Sequence, residues 1–193
     1  MSARAPDGTH SDVDFDTGDV YRQLFARRMV MATGAIDAER VDLLTSQLLT
    51  LDAEGDDPVQ LVVDAPSADL DAAYVLFDVC EALSAPLEIV VAGRLGDAGV
   101  VLLTGRGRRL GRPNARLHLC EPRFEPTTAT AEQASRLVAE QRRRIGDLIE
   151  RISERTTRPA PLVADDLSRG LYLSSDEAVA YGLLDEVLRP PVR

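Results

Sequence analysis

Short apolar runs alternate with amphipathic helical patterns along the middle of the chain, and this alternation limits the fold more than any other feature. Apolar runs at 29–33, 59–63 and 87–92 are typical of buried strands. Between them, apolar residues recur every three or four positions in 37–51 and 70–84, as in helices that pack on a sheet. Strands that alternate with helices predict an α/β fold with a mostly parallel sheet.

The C-terminal half continues the pattern with less regular spacing. A short helix is predicted at 97–104 and one long helix over 130–155, with strands at 116–120 and 183–188. The segment that precedes the strand at 116–120 is rich in arginine and is interpreted as a connection. These elements complete a single α/β unit.

Helix-capping residues mark several predicted boundaries. Asp37 is placed to cap the helix that follows it, and Ser67 is interpreted as a cap in the turn before the next helix. Near the end of the chain, Ser174 and Glu177 match a capping box, and Gly182 matches a helix stop. These residues predict where three of the helices begin or end.

The polar ends of the sequence define the expected domain limits. Residues 1–18 are acidic and rich in turn formers, so we expect them to be disordered or to become ordered only on assembly. Residues 19–189 carry the strand and helix patterns and are interpreted as one domain, followed by a tail at 190–193. A chain of this length can bury a full core without disulfides.

All 22 basic residues are arginine, and they stand against 32 acidic residues. Without lysine the chain cannot form a Schiff base, a Ser-Lys dyad or a phosphate-loop lysine contact. The net charge of -10 argues against nucleic acid or an anionic membrane as the main partner. No uncharged stretch approaches the ~20 residues that span a bilayer, and the two cysteines show no disulfide framework, so a soluble cytoplasmic protein is expected.

Six arginines lie between residues 94 and 116, where the only acidic residue is Asp97. We interpret this stretch mainly as a solvated strand-and-turn face, with an anion-binding site as the alternative. The six are Arg94, Arg106, Arg108, Arg109, Arg112 and Arg116.

His118, Cys120 and Glu121 are the candidate ligand or nucleophile residues of the later strand. Zinc needs three or four ligands in a recognisable spacing, and no further residue nearby completes a set, so no metal or other cofactor is predicted. A Cys-His nucleophile pair is not favoured, because same-face neighbours on a strand lie ~6.6 Å apart unless the chain bends. Cys120 is therefore interpreted as a half-buried core residue, and the absence of a Gly-x-Ser-x-Gly turn disfavours a serine nucleophile.

The closing segment Ser174–Asp185 (SSDEAVAYGLLD) carries the most specific motif of the sequence. Collinear matches precede it in the entry segment at 19–28, in the helix at 47–54 and in the turn at 113–116. On these motifs the chain resembles ClpP, the proteolytic subunit of the ATP-dependent Clp protease, from about Asp19 to Leu188. The resemblance implies a ClpP/crotonase-like fold, seven-membered rings, and a Ser-His-Asp peptidase enclosed between two stacked rings. It also implies that the long helix at 130–155 is a protruding handle that meshes with the opposite ring.

The resemblance places other residues at all three positions of the catalytic triad. Asp97 stands where the family has its nucleophilic serine, Cys120 where it has histidine, and Gly170 where it has the third-member aspartate. At the oxyanion-hole positions the family's Pro-Gly-Gly reads Pro-Ser-Ala and ends at Ala68, and the methionine after the nucleophile is Ala98. Flanking residues of the family pattern are retained at Gly93, Gly99, Pro122 and Arg169.

Elementary chemistry agrees that the peptidase reaction is absent. An ionised aspartate has no hydroxyl proton for a base to remove, and its acyl product would be a labile anhydride. A thiol with a pKa of ~8.5 and no imidazolium beside it is mostly protonated at neutral pH, so Cys120 cannot replace the histidine base. No catalytic residue is therefore expected at Asp97, Cys120 or Gly170.

Two further departures concern partners. The aromatic residues that form the family's surface pockets for the unfoldase ATPase are Gln60 and Ala82 here, which counts against unfoldase docking. Where the family pairs strands across its two rings, this chain has Pro126, and a proline removes a donor from the strand ladder. Contact between stacked rings is therefore expected to be altered or lost.

Three hypotheses follow for function. The first is a proteolytically inactive ring-forming subunit, a homo-oligomer or a member of a mixed ring beside an active ClpP paralogue, with a scaffold or regulatory role. The second is a repurposed crotonase-like enzyme in which Asp97 acts on an acyl thioester. The third, compatible with the first, treats Asp97 simply as a helix N-cap on a surface that has lost its chemistry.

Overall fold

The computed structural model describes residues 17–123 and 130–189 of the chain. Most of the predicted leader at 1–18 lies outside the described residues, as do Pro126 and the predicted tail at 190–193.

A mostly parallel sheet organises the fold and confirms the predicted α/β class. Strands β1, β2, β3, β4 and β7 lie in that spatial order and are parallel, and β5 pairs in parallel with the far end of β3. The remaining strand, β6, is antiparallel to β5. The strands described are Met29–Thr33 (β1), Val59–Ala65 (β2), Leu87–Gly96 (β3), Arg108–Gly111 (β4), Arg116–Leu119 (β5), Leu171–Ser174 (β6) and Glu186–Val187 (β7).

Helices cover the connections between the strands, as a parallel sheet requires. Helices α2 and α3 contact each other, and α3 also contacts the 3-10 helix that follows β3. The helices are Thr17–Ala26 (α1), Ala38–Glu54 (α2), Leu70–Ala82 (α3), Ala131–Thr156 (α4), Ala160–Arg169 (α5) and Ser175–Tyr181 (α6), with the 3-10 helix at Asp97–Leu103.

The main core lies where these helices meet the sheet. Helix α2 buries Val41, Leu44, Leu48 and Leu51, which is the stripe that the sequence predicts. Each fully buried leucine of this kind contributes about 1.5–3 kcal/mol to folding. A smaller cluster forms on the opposite face of the sheet, from Val62, Val90 and Leu110 together with half-buried Met29, Met31, Ala92 and Leu188.

Most predicted helix boundaries are confirmed. The Asp37 carboxylate accepts a hydrogen bond of 2.9 Å from the amide of Arg40. Ser174 and Glu177 form the predicted capping box, and Gly182 ends α6 in the left-handed conformation with φ of 96°.

The prediction for Ser67 is wrong. Helix α3 is capped by Asp69, whose carboxylate accepts hydrogen bonds of 2.9 Å from the amide of Asp71 and 3.0 Å from that of Ala72. Ser67 precedes the cap and instead accepts a hydrogen bond at its backbone carbonyl from the amide of Ile36, at 3.1 Å.

The arginine-rich stretch is not a simple connection. It contains strand β4, and five of its six arginines are exposed, as expected of a solvated strand-and-turn face, whereas Arg109 within β4 is buried. The Asp185 carboxylate accepts hydrogen bonds from the Arg109 backbone amide at 2.8 Å and from its Nε at 3.0 Å, and it also contacts Nη2. Nη1 donates to the carbonyls of Leu103, at 3.2 Å, and Gly182, at 2.9 Å. One guanidinium thus ties β4 to the 3-10 helix and to the turn before β7.

We predict that Asp185→Asn destabilises the fold by about 2–3 kcal/mol, because the buried Arg109 loses its anionic partner. Breaking a fully buried ion pair typically costs about 3–5 kcal/mol. The cost expected here is smaller, because the Asp185 side chain is 38% exposed and water screens its charge. The exposed Glu140, paired with Arg143, offers a matched control, and Glu140→Gln should cost about 0–1 kcal/mol. Urea unfolding of the three proteins at neutral pH measures the difference.

The ion pair between Arg109 and Asp185 predicts that the free energy of unfolding depends on pH. Burial alone would raise the pKa of Asp185, but hydrogen bonds from the Arg109 side chain and backbone outweigh it and lower the pKa below its ordinary value. A depressed folded-state pKa contributes stability above the unfolded value of ~3.9 and loses it as pH falls through the folded value. The stability gap between the wild type and Asp185→Asn should therefore close under acid. A gap that stays constant down to the lowest pH at which the chain folds would contradict this assignment.

Candidate functional site

Strand β3 changes partner along its length, and the site lies at its far end. Residues Glu88–Val91 pair with β4, whereas Arg94–Gly96 pair with β5. An irregularity in β2 between Val63 and Ala65 lets Ala65 pair with Leu95. The sequence predicts only the first part of β3, to residue 92. The extension brings the end of β3 beside the end of β5.

The turn at 66–68, which the family resemblance relates to an oxyanion hole, packs directly on this extension. A Cβ atom at Gly96 would lie only 2.6 Å from the Pro66 carbonyl oxygen, so the close approach requires glycine. The turn is held from the other side by Ile36, which forms a bridge with Ala68. The two residues that the resemblance places at the oxyanion hole are buried, Ala68 in this turn and Ala98 at the start of the 3-10 helix.

Asp97 occupies the first position of the 3-10 helix in a left-handed conformation, with φ of 49°. Non-glycine residues adopt this conformation rarely, and aspartate is among those that tolerate it best. Its side chain is buried and does not cap the helix, because the N-cap position is Gly96, which makes no side-chain cap. The N-cap interpretation of Asp97 is therefore wrong. The carboxylate instead accepts a hydrogen bond from the Cys120 thiol, with 2.8 Å between Oδ1 and Sγ.

Cys120 and His118 are in contact, contrary to the separation expected for same-face residues of a strand. Strand β5 ends at Leu119, so Cys120 no longer follows the pleat, and its Sγ lies 3.5 Å from His118 Nδ1. Glu121, which the sequence reasoning grouped with this pair, is exposed. Asp97 takes its place in the cluster.

Strand β6 fixes the imidazole of His118. His118 and Tyr172 are directly opposite in the antiparallel pairing of β5 with β6, and their rings stack with 4.0 Å between centroids and 5° between planes. On the other edge of the imidazole, a Cβ atom at Gly170 would lie 3.2 Å from Nε2. Gly170 ends α5 in the left-handed conformation, with φ of 68°, where glycine avoids the strain that other residues meet.

The structure thus brings into one place the three positions that the resemblance aligns with the catalytic triad. Asp97 contacts Cys120, Cys120 contacts His118, and His118 lies against Gly170. The resemblance had aligned Asp97, Cys120 and Gly170 but left His118 outside the site, two residues before the histidine position. Its period-two relation to Cys120 was the available signal in the sequence.

The thiol of Cys120 is held in its protonated form. Burial is the main cause, and the hydrogen bond to the Asp97 carboxylate adds to it, so that the pKa of Cys120 rises to about 11. A group with this pKa carries almost no thiolate at neutral pH and cannot act as a general base there. The three positions that the resemblance aligns with the triad thus present a carboxylate, a protonated thiol and a glycine. It does bring together three atom types that ligate metals, from Asp97, His118 and Cys120.

Comparison with protein families gives one match that covers most of the chain. The family model described as Clp protease matches residues 12–191. Among the helices of the described ranges, none has both the length and the apolar character that a membrane crossing requires.

We predict that Cys120 in the folded protein reacts with iodoacetamide at pH 8 at least about tenfold more slowly than in the unfolded chain, because its thiolate fraction is depressed. Asp97→Asn should accelerate the reaction, since it removes the charge that favours the protonated thiol. Peptide mapping by mass spectrometry in chelator-containing buffer separates Cys120 from the buried Cys80. The exposed Asp71 provides the control Asp71→Asn, which should leave the rate unchanged. Equal rates in wild type and Asp97→Asn would refute the role of the carboxylate.

Proposed function

The chain belongs to the Clp protease family, and from this premise we propose that it is a proteolytically inactive, ring-forming member with a scaffold or regulatory role in a Clp-type complex. The observation that carries the proposal is the state of Asp97. It holds the strained turn at the nucleophile-equivalent position, yet its carboxylate is buried and accepts a hydrogen bond from a protonated thiol. Acyl transfer needs the opposite arrangement, in which the residue at the turn donates a proton to a neighbouring base.

The other two triad-equivalent positions support inactivity. Cys120 is the residue that would remove the proton, and it retains its own at neutral pH. Gly170 has no side chain that could accept a hydrogen bond from the imidazole beside it, whereas the third member of a triad stabilises the imidazolium that forms. A serine restored at position 97 would therefore still lack a complete triad.

Assembly is supported by the long helix α4. Proteins of this family generally form oligomeric rings. Helix α4 has 26 residues and so is about 39 Å long, and its buried residues, Leu148, Ile152 and Thr156, all lie in its C-terminal half. Its N-terminal half exposes Leu137 and Val138, at 39% and 44%. Because isolated helical segments are marginally stable in water, this half is best explained by packing against another subunit.

We propose a homo-oligomer of one or two rings, or a mixed ring with an active ClpP paralogue. Docking of an unfoldase is not favoured, because a polar residue replaces an aromatic pocket residue at Gln60. Its side-chain amide lies against the sheet and donates to the Glu88 carboxylate at 3.2 Å.

The second candidate, an acyl-thioester enzyme that uses Asp97, is favoured by one observation. A buried carboxylate that is not a helix cap lies at the end of β3, beside the turn at 66–68. Against it, the hydrogen bond from Cys120 occupies that carboxylate, and the sequence contains no recognisable adenine-binding feature. This candidate stays a prediction.

We predict that the purified protein neither cleaves fluorogenic peptides nor reacts with a serine-directed fluorophosphonate probe. Asp97→Ala should behave identically, because no acyl chemistry depends on the carboxylate. Turnover shared by both proteins is tested by further purification, and turnover that co-purifies with the chain would also contradict the inactive assignment. Peptide turnover or covalent labelling of the wild type that Asp97→Ala abolishes would overturn the inactive assignment. Acyl-thioester turnover lost in Asp97→Ala would instead support the second candidate.

We predict that Leu137→Glu shifts the protein to smaller species in native mass spectrometry, because a charge enters the apolar contact proposed for α4. Leu162 on α5 is also exposed, at 53%, so Leu162→Glu matches the change in charge and exposure away from α4. The control should keep the wild-type mass. Co-expression with an active paralogue tests the mixed ring by the same measurement. An unchanged assembly in Leu137→Glu would rule out this contact.

A further inference from the structure

We propose that Asp97, His118 and Cys120 form a binding site for a divalent transition metal, with Zn²⁺ as the best match. The carboxylate oxygen, the imidazole nitrogen and the sulfur all lie within 4.8 Å of one another. Zinc accepts all three ligand types, and sites with three protein ligands leave a fourth position for water or another ligand. The proposal rests on these side chains alone and does not depend on ring assembly or on the loss of peptidase activity.

The distances are close to those of a tetrahedral zinc site. With Zn–S of about 2.3 Å and Zn–N of about 2.0–2.1 Å, tetrahedral geometry separates sulfur and nitrogen by about 3.5 Å. Cys120 Sγ and His118 Nδ1 are 3.5 Å apart. The Asp97 oxygen is 2.8 Å from the sulfur, so it would move back by about 0.7 Å as the metal replaces the thiol proton.

The backbone holds each ligand in place before a metal binds. Asp97 is fixed by its left-handed turn, and His118 by stacking on Tyr172. Cys120 follows directly after β5, whose pairing with both β3 and β6 leaves it little freedom. A preorganised set of ligands binds metal more tightly than a mobile one, because little conformational entropy remains to be lost.

Charge and burial also favour a cation at this point. Asp97 is only 7% exposed. Within residues 17–123 and 130–189, no arginine forms an ion pair with it. A buried carboxylate without a cationic partner is costly, and buried charges are normally paired or bound to a metal. Cys120 and His118 are partly exposed, so the site is open to solvent on the side where a metal would enter.

The test uses the full chain, freed of metal by a chelator and kept reduced by a phosphine. Zn²⁺ is titrated in competition with a chromophoric chelator, and Co²⁺ is added separately as a spectroscopic probe. We expect one tight Zn²⁺ per chain and a thiolate-to-cobalt charge-transfer band in the near ultraviolet. Cys120→Ser should abolish the band and lower Zn²⁺ affinity at least about a hundredfold, beyond the roughly 10–100-fold that loss of a supporting partner costs.

Two further variants keep the test valid if Cys120→Ser folds poorly. Asn tolerates the left-handed conformation as well as aspartate does, so Asp97→Asn should fold, retain the cobalt band and bind Zn²⁺ more weakly. Tyr172→Ala, which frees the imidazole, should lower affinity about tenfold. The chain supplies matched controls in its other cysteine and histidine, and Cys80→Ala and His10→Gln should bind as the wild type does.

Absence of saturable Zn²⁺ binding, a cobalt spectrum without a thiolate band, or unchanged affinity in both Cys120→Ser and Asp97→Asn would overturn the proposal. Peptidase turnover is measured on the same protein so that the two proposals can fail separately. Zn²⁺ binding without peptidase turnover leaves the proposed function intact. Peptidase turnover without Zn²⁺ binding would contradict the proposed function on separate evidence.

Discussion

The change of partner along β3 is the constraint on which the site depends. Strand β3 pairs with β4 over its first half and with β5 over its second half, so it extends beyond the end of its pairing with β4. That extension carries Gly96 against the Pro66 carbonyl and delivers Asp97 to the end of β5. The buried Arg109 supports the same arrangement, because its guanidinium joins β4 to the carbonyl of Leu103, at the end of the 3-10 helix that Asp97 begins.

The backbone conformation of the site is stabilised by packing of the 3-10 helix that Asp97 begins. The left-handed turn at Asp97 costs roughly 1–2 kcal/mol for an ordinary L-residue, and less for aspartate. Packing of the buried 3-10 helix, whose seven residues are all buried, outweighs that cost. Aspartate is among the residues that tolerate this conformation best, so the side chain at position 97 suits the backbone that the packing imposes.

Periodic and locally encoded features were predictable from the sequence, and features set by distant contacts were not. The apolar stripe of α2 and the capping box at Ser174 depend on residues a few positions apart, and both are observed. The burial of Arg109 was not predicted, because its neighbours in sequence are exposed arginines and the carboxylate that neutralises it, Asp185, lies 76 residues away. Helix α5 was also missed, although Pro161 in its first turn and Gly170 after it follow the usual pattern of proline at the start of a helix and glycine at its end.

The site itself required both kinds of information. The family resemblance identified Asp97, Cys120 and Gly170 by alignment alone, and it could not reveal that His118 joins them. An ideal strand separates His118 from Cys120 by about 6.6 Å, and only the end of β5 at Leu119 brings their side chains together. The buried Asp97 carboxylate accepts a hydrogen bond from the Cys120 thiol, and a carboxylate buried without a donor would be costly, so Asp97 depends on Cys120. The side chains of Asp97 and Cys120, at two positions that the resemblance aligns with the triad, are therefore coupled in this structure.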